Sequence, residues 1–307
     1  MNYQIRERKS PFIHLNEKAN IHKGIICEPF HVLSYYIGCA YNCSYCYLQG
    51  TFRGKVQPVI YSNRDKMLEE LDRWLNLPGS LRLNAGELND SLALDGKIPL
   101  VEDLVTRFAS QNRHKLILVT KSTNIENLLK YDPRGQVIVS FSINSESAWR
   151  RFEHKTPHPF KRVEAAARVK ESGYLTVLRL DPMLPLSAWK AEYQELVELV
   201  FSRFTPDQFT LGSLRYFPTV PAWAGKLGRN TEVYKYGRER SPEDGRYRIN
   251  RAVRRELYEW AIKCISTHGM ALPIRLCKET EAMHRIVNLP CEGCCYNTKL
   301  NGNEMRR

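Results

Sequence analysis

Cys39, Cys43 and Cys46 fall within the run Gly38–Gly50. Their C-x3-C-x2-C spacing crowds three thiols onto one turn, and no other feature constrains the chain as strongly. Three thiolates so close can hold three corners of a [4Fe-4S] cube. The fourth iron is then left without a protein ligand. An open metal position binds a small molecule, whereas a structural site is closed. Structural zinc prefers C-x2-C pairs and a fourth ligand close by. Here no histidine is near, and the closest other cysteine is Cys27. Disulfides explain the triplet poorly, because three is odd and the spacing is cramped.

The 307 residues suffice for one large α/β domain with a substantial core. The first ten residues are charged and lack an apolar h-region, and no apolar run is long enough to span a bilayer. Nine cysteines without an export signal point to a reducing cytoplasm and to thiols used as ligands. The net charge of +13 suggests a polyanionic partner, nucleic acid or a nucleotide-like substrate first, and no membrane.

Short apolar runs alternate with helical stretches after an extended arm over residues 1–30. Strands are expected at His31–Ile37, Leu81–Ala85, Leu116–Thr120, Val137–Ile143, Tyr174–Leu180 and Gln208–Leu211, with one more at Leu272–Leu276. Helices are expected at Asn63–Leu75, Leu100–Gln111, Pro159–Ser172, Trp189–Phe204 and Arg251–His268. Aliphatic strands separated by helices indicate a parallel sheet of βαβ units. The expected fold class is α/β, a partial (β/α)6 TIM-like barrel with a cysteine-bearing C-terminal extension. Its expected parts are the arm 1–30, the barrel core 31–212, a basic loop-rich segment with a helix 213–270, and the extension 271–307.

Active sites of such folds lie at the carboxyl ends of the strands. The cysteine loop follows the first strand. Later strand ends carry Gly86-Glu87, Asn89 and Asp90, then Thr120-Lys121-Ser122, Ser142-Ile143-Asn144, and Arg179-Leu180-Asp181. Any one of the Ser, Asn or Asp residues could cap a helix. Their convergence, with Lys121, supports a site.

With these strand ends in view, the chain resembles the spore photoproduct lyase family of radical S-adenosylmethionine (SAM) enzymes. The likeness rests on CSYCYL at 43–48, LVTK ending at Lys121, FSIN at 141–144, and a stretch from Phe152 to Ala166 with the pattern FE..T.....R.EAA. The run Gly245–Arg251 is a weaker echo. The resemblance implies that Cys39, Cys43 and Cys46 ligate a [4Fe-4S] cluster. It further implies that Gly86, Glu87, Lys121, Ser142 and Asn144 contact SAM, and that an electron donor such as flavodoxin or ferredoxin is needed. Tyr45 and Tyr47 match tyrosines of a hydrogen-transfer relay, although both would equally serve as packing around a cluster. The chain departs from the family after strand two. There the photoproduct lyases carry a cysteine that donates a hydrogen atom, and Glu87 stands here. A carboxylate cannot take over that role, so Glu87 is retained only as a catalytic candidate of another kind.

Near the C-terminus lie Cys277, Cys291, Cys294 and Cys295, enough ligands for a second Fe–S cluster or a zinc ion. Alternatively one of these thiols reaches the active site as the missing hydrogen donor. Between Leu214 and Arg255, arginines such as Arg246 and Arg248 interleave with aromatic residues, a combination suited to nucleic acid. The expected activity is reductive cleavage of SAM to a 5′-deoxyadenosyl radical that acts on a nucleic-acid lesion or a modified nucleobase. A lyase of a small free base, resembling queuine lyase, and a non-catalytic Fe–S or zinc nucleic-acid binder are the alternatives.

Overall fold

The computed structural model describes residues 2–16, 24–98, 100–268 and 272–295. Residues 296–307 of the expected C-terminal extension lie outside the described residues. Eight strands form one sheet: β1 (Ile13–Leu15), β2 (His31–Leu33), β3 (Arg82–Asn84), β4 (Lys115–Thr120), β5 (Val137–Ile143), β6 (Leu175–Met183), β7 (Gln208–Ser213) and β8 (Ile274–Leu276). Their order in the sheet is their order in the chain. The strands β2 to β8 run parallel, and β1 is antiparallel to β2. A doubly wound sheet reverses its strand order at a switch point. This one never reverses, as expected of an open barrel.

The reason is visible in the strands themselves. All seven residues of β5 are buried, and β7 is buried throughout. Runs covered on both faces need helices outside and side chains inside. Helices Val101–Ala109, Pro159–Glu171, Trp189–Arg203 and Arg251–Ser266 supply the outer layer between successive strands. Among the described residues no helix is long and apolar enough to cross a membrane.

Three features differ from the sequence expectation. First, the run His31–Ile37 is not one strand. The main sheet keeps only β2, and Tyr36–Ile37 pairs antiparallel with Val59–Tyr61. The phenol of the fully buried Tyr36 donates to the Asp90 carbonyl, which pins the chain where it turns into the cysteine loop.

Second, the arm before β2 and the segment after β8 meet each other. Ile25–Ile26 pairs antiparallel with Glu279–Thr280, and Glu28 bonds to Arg82 and to the Gly293 amide. Third, the basic segment contains a three-stranded antiparallel sheet from Arg215–Tyr216, Gly237–Arg240 and Tyr247–Ile249. Arg248 is buried against Asp244 at 2.6 Å, and Arg254 against Glu279 at 2.8 Å. The acids of this region therefore absorb those arginines internally, and Arg248 is not available to an outside anion. Arg238, Arg240, Arg251 and Arg255 are the exposed ones.

Candidate active site

The cysteine loop is sewn to the segment that follows β5 and the short helix Glu146–Phe152. Asn42–Cys43 pairs antiparallel with Glu153–His154, and the Ser44 amide donates to the Phe152 carbonyl at 2.8 Å. Within the loop, the Gln49 amide donates to the Ser44 carbonyl at 2.9 Å and the Cys46 carbonyl at 3.0 Å. Cys39, Cys43 and Cys46 thus lie together at the carboxyl rim of the sheet, each within electrostatic reach of another. Burial pushes all three thiols up, Cys43 to about 12. Such thiols stay protonated unless a metal displaces the proton.

The donor set fits a [4Fe-4S] cluster. It offers three soft ligands on one loop, and no described His, Cys, Asp or Glu group converges as ligands of one ion do. A cube assigns each thiolate to a different iron, so it does not require that convergence.

Lys121 and Ser142 stand at the ends of the adjacent strands β4 and β5. The Lys121 amide is held by the Asp90 carboxylate at 2.6 Å, and the same carboxylate accepts from Thr120 Oγ1 at 2.6 Å. Its ammonium sits 5.7 Å above the Tyr45 ring. Burial opposes that charge, but Glu153 and Cys43 outweigh burial and raise the Lys121 value. Ser142 is buried, and its carbonyl accepts from Arg162 at 3.0 Å.

Gly86 is set by packing. A Cβ there would lie 2.7 Å from Ser91 Oγ and 2.8 Å from the Val119 carbonyl oxygen. Glu87 is committed to an ion pair with Lys278 at 2.9 Å. Burial raises its carboxyl, but Lys278 prevails and holds it below the ordinary value.

The two tyrosines differ. Tyr45 is buried and its phenol is bound to Glu153. Tyr47 is partly exposed and bonds to the Glu87 carbonyl, within electrostatic reach of both Cys46 and Cys277.

Asn144 has its amide fully engaged. It donates to Glu153 at 3.3 Å and the Pro182 carbonyl at 3.0 Å. It accepts from the Ser145 amide and the Tyr193 hydroxyl, each at 3.0 Å. Its side chain thereby ties together the ends of β5 and β6 and the helix Trp189–Arg203.

Three of the four C-terminal cysteines meet, because Cys294 shares side-chain hydrogen bonds with both Cys277 and Cys295. Cys277 follows β8 directly, its amide bonded to the Leu211 carbonyl at 2.8 Å. Its sulfur lies 3.2 Å from Arg215 Nη2 and shares a hydrogen bond with the Cys294 thiol. The Cys294 partner and burial push Cys277 well up. Arg215 in turn grips Asp181 with both terminal nitrogens, at 2.8 and 2.9 Å. Cys295 also packs on Ile117, Ile138 and Val177, whereas Cys291 is exposed beside Arg285. Four ligands for a second metal are not brought together here.

The sequence reading passed over one hub. Glu153 is 1% exposed and receives Arg162 at 2.7 Å, Tyr45 and Asn144. Both residues stand in the Phe152–Ala166 pattern. An acid and an arginine bracketing a helix start was the available signal, though nothing in it said that they meet beneath the cysteine loop.

Comparison with known proteins agrees with this geometry. The family model described as spore photoproduct lyase matches residues 30–217. The spore photoproduct lyase of Bacillus subtilis (strain 168) is 25% identical over 240 residues, covering 76% of this chain and 70% of that protein. That of Clostridium acetobutylicum is 28% identical over 164 residues, covering 52% of this chain and 48% of that protein. Among solved structures, a spore photoproduct lyase complexed with dinucleoside spore photoproduct superposes with a TM-score of 0.75 at 18% identity, over 89% of this chain and 81% of the other. A mutant of that enzyme with bound AdoMet and dinucleoside spore photoproduct gives 0.70 at 20% identity, over 81% of this chain and 76% of the other. At such identities the structural likeness concerns the fold.

Proposed function

The chain belongs to the spore photoproduct lyase family of radical SAM enzymes, and on that premise we propose that it repairs or cleaves a lesion-type linkage in a nucleic-acid base, with Cys277 as the hydrogen-donating thiol. A [4Fe-4S] cluster with SAM supplies a 5′-deoxyadenosyl radical in this family. Cys39, Cys43 and Cys46 hold the cluster, while Lys121 and Ser142 are the groups placed to receive SAM. An electron donor such as flavodoxin or ferredoxin completes the system.

The observation that carries the reading is the placement of Cys277. The end of β8 sets it beside Lys278, which is bonded to Glu87, the position where the family places its thiol. A second strand end thus delivers a thiol to the neighbourhood of Glu87. The Cys294 hydrogen bond and burial both favour the protonated form of Cys277, and a protonated thiol can give up a hydrogen atom. In that step the S–H bond breaks, a C–H bond forms on the product radical, and the unpaired electron passes to sulfur. Tyr47, whose phenol bonds to the Glu87 carbonyl, is the candidate to return a hydrogen atom to the thiyl.

The test is turnover of dinucleoside spore photoproduct in deuterium oxide, with SAM and dithionite. Exchangeable S–D should label the product, and Cys277→Ala should abolish the label while 5′-deoxyadenosine still forms. An equally labelled product from the variant would remove Cys277 from the reaction.

A further inference from the structure

The strands β5 to β8 carry one row of residues in register. Ser142 is opposite Arg179, Arg179 opposite Thr210, and Thr210 opposite Arg275. Residues opposite one another on parallel strands point to the same face. Arg179 therefore shares the face of Ser142, which the proposed function assigns to SAM.

Most of the charges near this row are matched. Asp181 is gripped by Arg215 through both oxygens. Gly212 makes room for that fork, since a Cβ there would lie 2.5 Å from Asp181 Oδ1 and 3.0 Å from Arg215 Nη1. Lys278 is matched by Glu87, and Arg275 by Glu292 at 2.9 Å. Arg179 shares its only carboxylate among the described residues, Asp181, with Arg215. It reaches the already occupied Asp181 only at 3.4 Å and the Cys294 sulfur only at 3.8 Å. Its Nε is buried without a hydrogen-bond partner among the described residues, as is that of Arg275, while the side chain as a whole is 13% exposed. A guanidinium has five donors and cannot shed its charge. Holding two guanidinium groups inside a protein on one carboxylate is costly, and the cost is recovered if a ligand brings a second anion.

We propose that Arg179 is a substrate-anchoring residue whose unused N–H groups receive an oxyanion, phosphate or carboxylate, carried by the nucleotide or nucleobase on which the site acts. The planar fork suits either group, because both present two oxygens at matching spacing. A neutral base edge would leave the guanidinium charge uncompensated. This inference rests on the proposed function and adds what the substrate must carry.

The test is equilibrium dialysis with the cluster-loaded, SAM-bound enzyme and two pairs of probes. One pair is thymidylyl-thymidine and its neutral methylphosphonate analogue; the other is orotate and uracil. The wild type should prefer the anionic member of one pair roughly ten- to hundredfold, the range of a charge-assisted contact. Arg179→Gln should abolish that preference, and Arg179→Lys should keep part of it. The pair affected tells phosphate from carboxylate. Absence of preference in the wild type, or its survival in both variants, overturns the anchor. Formation of 5′-deoxyadenosine by the wild type, measured in parallel, separates this failure from a failure of the SAM-cleaving reading.

Discussion

Replacing Arg162 by Met should unfold the protein's rim before it touches any chemistry. Arg162 and Glu153 are 0% and 1% exposed and lie 2.7 Å apart. Arg162 also donates to the Pro157 carbonyl at 2.8 Å, the Ser142 carbonyl at 3.0 Å and Thr156 Oγ1 at 2.7 Å. Removing one partner of a buried pair strands the other charge, at a cost of about 3–5 kcal/mol. The orphaned carbonyls put this case in the upper half of that range. For a chain of this length the melting temperature should fall by roughly 6–10 °C. Urea unfolding of the anaerobic apoprotein measures the loss. The second variant is decisive. Arg162→Met with Glu153→Gln removes the stranded charge but keeps a partner for Tyr45 and Asn144. The double variant should therefore recover roughly half of the loss, a coupling of about 2 kcal/mol. A cost below about 1 kcal/mol for the single change, or additive costs in the double, would refute the hub.

Further outcomes follow from the same contacts. Asn144→Ala should cost about 1–3 kcal/mol by orphaning buried partners while leaving SAM affinity of the folded protein unchanged; titration calorimetry beside a melt distinguishes the two. Arg248→Glu should prevent folding, because the new carboxylate would face Asp244 and Glu279, whereas Arg238→Glu should fold and lower the salt slope of DNA binding by about one. Burial would raise the Asp181 carboxyl, but Arg215 outweighs burial and holds it at about 2. A depressed value stabilises the fold above the ordinary carboxylate value near 4. That contribution, about 2 kcal/mol, is lost as pH falls from about 4 to about 2. Asp181→Asn should flatten this part of the acid limb in pH-dependent unfolding, and an unaltered limb would contradict the pairing.

Much of the barrel was legible in the sequence, because aliphatic strands and polar strand ends repeat with a regular rhythm. Val137–Ile143 matches its strand end to end, and Pro159–Ser172 and Trp189–Phe204 match to within a residue. What stayed hidden depends on distant partners. Arg246 and Arg248 read as an exposed basic pair, and only the fold shows Asp244 beneath them. The cysteines after β8 read as one set of four ligands, yet one of them stands apart. Cys277, Cys294 and Cys295 are linked by side-chain hydrogen bonds, and Cys291 lies at the surface. Asn144 looked like a free amide at a strand end, and its occupation by Glu153, Pro182 and Tyr193 involves residues nine to 49 positions away.

The claim that Cys39, Cys43 and Cys46 build a SAM-cleaving centre is tested most directly by anaerobic reconstitution of the wild type and Cys43→Ala, followed by quantitation of iron and of 5′-deoxyadenosine. The wild type should carry one [4Fe-4S] cluster per chain and form 5′-deoxyadenosine from SAM and dithionite, and the variant should do neither. A loaded cluster that leaves SAM intact, or 5′-deoxyadenosine formed without iron, would contradict the account.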